Sequence, residues 1–437
     1  MTSSSTTTPS TPSATPANEE SLTSRYIKLG ILVVIAGNIY PLIYLRQNFE
    51  QSMLESFGLT AAQLGQNYSM LGILYMLTYI PSGWLADKVS PRILMSFSLA
   101  GCGALGVWYS TFPDFTSTQI IFAGWGVFAG LTFWSAMIKA TALLAKPNEQ
   151  GRFFGILDGG RGLVEAIIAT IAVAMFGYYL SSTGGDTPTA MNRVIWLYVG
   201  LQLILAPIAY FALTDNVDDE ESTTQKYNVI RDLKTILKKE EIWLCCIIVL
   251  TGYQLFFATY SFSAYIQNHH GLGAVAVGWV TVAKLWMRPI GGISAGFAAD
   301  FLDREKVLGC LMLIASLALY GLTVLPTTAG QASLLVVVMI IGVMTYAVRG
   351  IYWATLESSG ISNRIKGLAI GFISLVGFSS DVYLPFFEAK LLAAFPGKTG
   401  SDYYFTIIAL MGVLGALAAW RLKILTLRRD AAKAEKA

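Results

Sequence analysis

The sequence predicts an all-α membrane protein, with twelve transmembrane helices arranged as two pseudo-symmetric six-helix bundles. Three observations carry this. Of the 437 residues, 54% are hydrophobic and 13% charged, with a mean hydropathy of +0.56, whereas a soluble domain carries about 25% charge. Apolar stretches of about 20 residues, long enough to cross a hydrocarbon core, recur along almost the whole chain. They are continuous rather than alternating, which argues against a barrel of strands. Finally, motifs of the first half return in the second.

In chain order, residues 1–24 are Ser, Thr and Pro without an apolar stretch and read as a disordered cytoplasmic tail, not a cleavable signal peptide. Spans are expected near 26–50, 63–86, 93–113, 118–145, 153–181 and 192–213, which makes 25–213 the N-terminal bundle. Residues 214–240 are a polar linker with an acidic run (Asp218, Asp219, Glu220, Glu221) followed by basic residues. The C-terminal bundle, 241–425, holds spans near 241–268, 276–299, 306–325, 332–357, 367–394 and 402–425, and 426–437 is a basic cytoplasmic tail. The four cysteines fall inside apolar segments and read as small buried hydrophobes, with no metal-ligand spacing among them.

Loop charge sets the orientation. Most of the 30 Lys and Arg fall in the tails and in the loops on their side, while Arg46, Arg193, Lys390 and Lys398 fall on the other. By the positive-inside rule both termini are cytoplasmic, so a multi-pass protein of the cell's inner (plasma) membrane is expected. The repeat is visible at a fixed offset: "GLTAAQLG" from 58 returns as "GLGAVAVG" from 271, and "GWLAD" from 83 as "GFAAD" from 296. A six-span unit duplicated in parallel is the plan expected of two rocking transporter halves.

"GWLADKVSPR" after the second span resembles the loop motif of the major facilitator superfamily, with Gly83, Asp87, Lys88 and Arg92 at its positions. The second copy, "GFAADFLDR", keeps Gly296, Asp300 and Arg304. The resemblance covers essentially residues 25–425. It implies that these residues gate the transporter, an Asp pairing with a helix N-terminus or an Arg in one state and releasing it in the other, while Gly83 would permit close helix approach. Two narrower similarities concern substrate. "YLRQNFEQSM" (44–53) resembles the first helix of organophosphate:phosphate antiporters, which implies anion binding by Arg46; the second Arg of that pattern is Thr259 here. "RPIGG" (288–292) resembles the eighth helix of nitrate/nitrite porters, which implies the same for Arg288.

Ionisable residues near mid-bilayer cost roughly 2.5–3.5 kcal/mol each on insertion scales, so each needs a partner or a cavity. Arg161 and Glu165, four apart in the fifth span, are expected to pair with one another. Lys139 and Arg349 are assigned to packing or gating, with Asp158 or Glu357 as candidate partners. Asp381, matched with Glu165 in the other half, has no basic neighbour at helical spacing and is the better candidate proton carrier. Lys284 and Arg288 are like charges one turn apart. With Arg46 they form the expected substrate-binding set, on a cavity wall rich in aromatic residues (Tyr40, Tyr44, Tyr75, Tyr79, Tyr260, Tyr265, Trp286, Tyr352).

The expected function is secondary active transport of a small anion, an organic acid or a phosphorylated or sulfonated solute, by alternating access. Its partners are that solute, the lipid bilayer and, as a candidate coupling ion, protons, with the chain acting as a monomer. A proton-coupled exporter of cationic or neutral compounds is the alternative, and a transporter-like ligand sensor ranks below it. No nucleophile–base set, metal cluster, phosphate-cradling loop or nucleic-acid patch stands out, so neither an enzyme nor a cofactor is expected.

Overall fold

The computed structural model describes residues 22–145, 150–213, 229–328, 330–361 and 366–434. They form twelve helical rods. The N-terminal half holds α1 (Leu22–Phe57), α2 (Ala61–Lys88), α3 (Pro91–Tyr109), α4 (Phe115–Val127 continued through Ser135–Leu144), α5 (Gln150–Ser182) and α6 (Thr187–Ala212). A short amphipathic helix, Val229–Leu237, precedes the second half. That half holds α7 (Glu240–His270), α8 (Ala274–Leu285 and Met287–Phe301), α9 (Arg304–Val324), α10 (Gln331–Ile351), α11 (Lys366–Gly377 and Ser380–Ala394) and α12 (Lys398–Ala434). Among the described residues, nine helices are each long and apolar enough to cross a membrane. Large apolar side chains such as Ile204, Leu317 and Leu410 stand exposed on the perimeter, where lipid would cover them.

The rods are broken at particular places. Pro289 has no N–H to donate to Leu285 and its ring crowds that carbonyl, so α8 breaks at Trp286 between Lys284 and Arg288. Pro41 precedes the break of α1 at Tyr44–Leu45. In α4 the turns widen to a π-helix over Phe128–Trp134. Pro385 likewise leaves the Asp381 carbonyl without its helical donor, and that carbonyl lies against Gly72 of α2, where a Cβ has no room.

The halves meet along two seams, α2 against α11 and α5 against α8, and again where the outer part of α1 packs on α7 and α8. The face bearing Leu22, Leu213 and Ala434 is here called the chain-end face, the opposite one the far face. At the far face Gly65 lies against Pro385, and Arg46 joins the halves. Toward the chain-end face a cleft remains between them.

Two expectations about small residues are corrected. A Cβ on Gly83 would meet nothing within 4 Å among the described residues, and the same holds for Gly296, so the expected close helix approach at Gly83 is not what places a glycine there. Cys310 is exposed on α9, unlike buried Cys102, Cys245 and Cys246. The side chains of Asp87, Asp300 and Glu357 lie outside the described residues. Of the remaining gating-motif positions, Arg92 lays its guanidinium over the Tyr210 ring, its Cζ 5.2 Å from the ring centre, and Arg304 donates to the Ala354 carbonyl at 3.1 Å.

Candidate functional site

The cleft lies at mid-depth and encloses about 870 Å³ including its mouth. From the N-terminal half it is lined by Tyr40, Tyr75, Tyr79, Trp134, Arg161 and Glu165, and from the other half by Tyr253, Tyr260, Arg288, Tyr346, Arg349 and Asp381. Glycines set the packing of its walls: Gly37 lets α1 lie against Val164 of α5, Gly130 lets α4 lie against Tyr75 and Thr78 of α2, and Gly162 lets the Arg288 stem lie against α5.

Arg288 crosses between the halves. Its Nη1 donates to Glu165 at 2.8 Å and its Nη2 to Asp158 at 3.1 Å. The Asp158 side chain is 65% exposed, so water reaches this end of the bridge. The expected Arg161–Glu165 pair is not formed. The carboxylate that four-residue spacing offered to Arg161 is taken by an arginine of the opposite half.

Arg161 instead lies over Tyr40 and Trp134, its Cζ 5.5 and 6.0 Å from the ring centres. Arg349 lies 4.3 Å from the Phe256 ring centre and 6.0 Å from that of Tyr253. Among the described residues neither has a carboxylate oxygen within 4 Å, and the buried Arg161 Nε has no hydrogen-bond partner. Guanidinium faces resting on aromatic rings keep their in-plane N–H donors free for a planar or tetrahedral oxyanion. Asp381 shares the cleft and accepts a hydrogen bond from the Tyr253 hydroxyl at 2.8 Å.

Two members of the expected substrate set sit elsewhere. Arg46 is only 2% exposed, and its Nη2 donates to Glu388 at 2.9 Å and Ser261 at 2.8 Å, with Glu50 3.4 Å from its Nε. It joins α1 to α7 and α11 at the far face, beyond the cleft. Lys284 is fully buried and donates to the Thr259 hydroxyl at 3.0 Å and carbonyl at 3.3 Å. The break at Trp286 separates it from Arg288, so one-turn spacing does not bring both into the cleft. Lys139 donates to the Ala86 carbonyl at 2.7 Å rather than pairing with an acid. Of the expected aromatic wall, Tyr40, Tyr44, Tyr75, Tyr79 and Tyr260 line the cleft. Tyr265 bonds Asp402 and Trp286 bonds Thr170 instead. Sequence reasoning missed Trp134, Tyr253, Phe256, Tyr346 and Phe378 of the lining; only their helical depth could have found them.

Two helical halves around a central charged cleft have the plan of a membrane transporter, and the chain belongs to the major facilitator superfamily, whose family model matches residues 31–385. Curated relatives include the inner membrane protein YihN of Escherichia coli (strain K12), 26% identical over 90% of this chain and 94% of that protein. The D-galactonate transporter of Escherichia coli O6:H1 (strain CFT073) is 21% identical over 82% of this chain and 87% of its own. Among solved structures, a bacterial homolog of the human lysosomal transporter Spinster superposes with a TM-score of 0.74 at 16% identity, over 94% of this chain and 99% of that one. These findings make the protein a multi-pass membrane protein that moves solutes by secondary transport.

Proposed function

We propose that the solute is a small organic anion with a hydroxylated body, held in the cleft by Arg161 and Arg349 from opposite halves, with Arg288 beside them. The observation that carries this is that Arg161 and Arg349 face the cleft from the two halves with no carboxylate partner among the described residues. An oxyanion between them gains charge-assisted hydrogen bonds from both bodies at once, so occupancy ties the halves together. The tyrosine hydroxyls and the Trp134 face suit a polyol or sugar-acid body, which accords with the D-galactonate transport named for one relative. The exporter alternative treats the cations as structural. Arg288, neutralised by Glu165 and Asp158, fits that description, but Arg161 and Arg349 do not.

In this reading the chain-end face is cytoplasmic, as loop charge implies, and the protein resides in the inner membrane, as its relatives' names suggest. The cleft is then open to the cytoplasm with the outer side closed. A thermal-shift screen of the purified protein against D-galactonate, inorganic phosphate, neutral galactose and organic cations tests the substrate class, because a ligand stabilises the state that binds it. Stabilisation by the sugar acid and not by galactose is expected. Stabilisation by cations or neutral solutes alone would replace the anion reading with the exporter reading.

A further inference from the structure

The far-face cluster around Arg46 holds one cation in contact with two carboxylates, and all three are buried: Arg46 is 2% exposed, Glu50 6% and Glu388 7%. We propose that this cluster is a proton-binding site, in which Glu50 takes up one proton when the far face closes and releases it when that face opens. One guanidinium between two carboxylates leaves a net negative charge without water to solvate it, which burial makes costly. The geometry shows which carboxylate is left over. Arg46 Nη2 is satisfied by Glu388 and Ser261. Glu50 Oε2 and Arg46 Nε, 3.4 Å apart, each lack a hydrogen-bond partner among the described residues. Orphaned buried polar atoms call for a ligand or a change of protonation, and a neutral Glu50 carboxyl removes the excess charge.

The site exists only while the halves touch. Arg46 and Glu50 belong to α1, Glu388 to α11 and Ser261 to α7, and the Ser263 hydroxyl of α7 donates to the Arg46 carbonyl at 2.7 Å. Separation of the far-face ends removes Glu388 and lets water reach both acids. The closed state therefore binds more protons than the open one, so acid favours closure and alkali favours opening. The groups around Glu50 are few. Arg46 and Glu388 are the charged ones acting on it. The α2 residue Tyr68 spends its hydroxyl on the Ile43 carbonyl at 2.9 Å, and Tyr404 of α12 is buried with its hydroxyl unpartnered. The cation of α8, Lys284, is held by Thr259, two residues before Ser261.

The test needs no substrate. In full-length protein with Cys310→Ser, spin labels at Glu55→Cys and Lys390→Cys, both exposed at the far face, report the separation of α1 and α11 in lipid nanodiscs between about pH 5 and 8.5. The short distance is expected to dominate in acid, and the short-to-long ratio to fall by up to about tenfold per pH unit within the responsive window, the limit for one linked proton. Glu50→Gln should stay short at every pH. Glu388→Gln should also lose the pH response, which keeps the test open if the first variant does not fold. Lys284→Met and Asp381→Asn should retain the response. A wild-type distance that ignores pH, a Glu50→Gln protein that still responds, or loss of the response in Lys284→Met or Asp381→Asn would overturn the proposal. So would a distance that follows Na⁺ against choline at fixed pH.

Discussion

The Arg288 guanidinium of the C-terminal half lies 2.8 Å from the Glu165 carboxylate of the N-terminal half. Arg288 is nearly buried while Glu165 keeps partial contact with the cleft. In the alternating-access reading, a mid-depth ion pair that joins the two halves is broken and remade in each cycle. Removing one member strands the other, at a cost of about 3–5 kcal/mol for a buried pair, less with water at hand. Arg288→Ala should therefore lower the melting temperature of the purified protein more than the double variant Arg288→Met/Glu165→Met does. Equal losses would show that the pair contributes no coupling energy.

Lys284 tests the opposite situation, a buried ammonium whose hydrogen bonds go only to Thr259. Replacing it with a chain of similar length and no charge removes the desolvation cost. Lys284→Met is expected to raise thermal stability by about 1 kcal/mol or more. A lower melting temperature would mean that the charge is compensated at longer range.

The all-helical, membrane-spanning class was legible because a membrane imposes length and apolarity on each segment separately, and nine helices among the described residues meet that demand one by one. The site was legible only in part. Arg288 was found because a cation inside an apolar run stands out, and Asp381 for the same reason. Arg46 and Lys284 stand out equally, yet a proline break and the packing of α1 on α7 carry them away from the cleft. Arg161 and Glu165 show the limit most plainly. Spacing along one helix pairs them, but Glu165 binds an arginine of the other half, a contact fixed by how α5 and α8 pack.

Gly72 sits where the free carbonyl of Asp381 touches α2. Any side chain there must push the seam between α2 and α11 apart, at a cost of about 1–3 kcal/mol. Gly72→Ala should thus shift the protein toward opening of the far face, read as faster labelling of a cysteine placed at Ser263, which is buried in the far-face cluster. Labelling at the wild-type rate would mean that the seam yields elsewhere.

For the loop motif, Asp87→Asn should slow solute exchange in proteoliposomes at least several-fold while leaving protein abundance near normal. Full exchange activity would remove Asp87 from the gate.

The central claim is that an anion bridges Arg161 and Arg349, and its most direct test is calorimetric affinity for D-galactonate in folded, detergent-purified variants. Each lost charge-assisted bond is worth about 1.5–3 kcal/mol, or roughly ten- to a hundredfold in Kd. Arg161→Ala and Arg349→Ala should each weaken binding by that factor, and Arg349→Lys, which keeps charge but loses the fork, by less. Arg46→Ala should change affinity little, because Arg46 lies beyond the cleft. Undiminished affinity in both Arg161→Ala and Arg349→Ala, or no binding of the sugar acid by the wild type, would contradict the account.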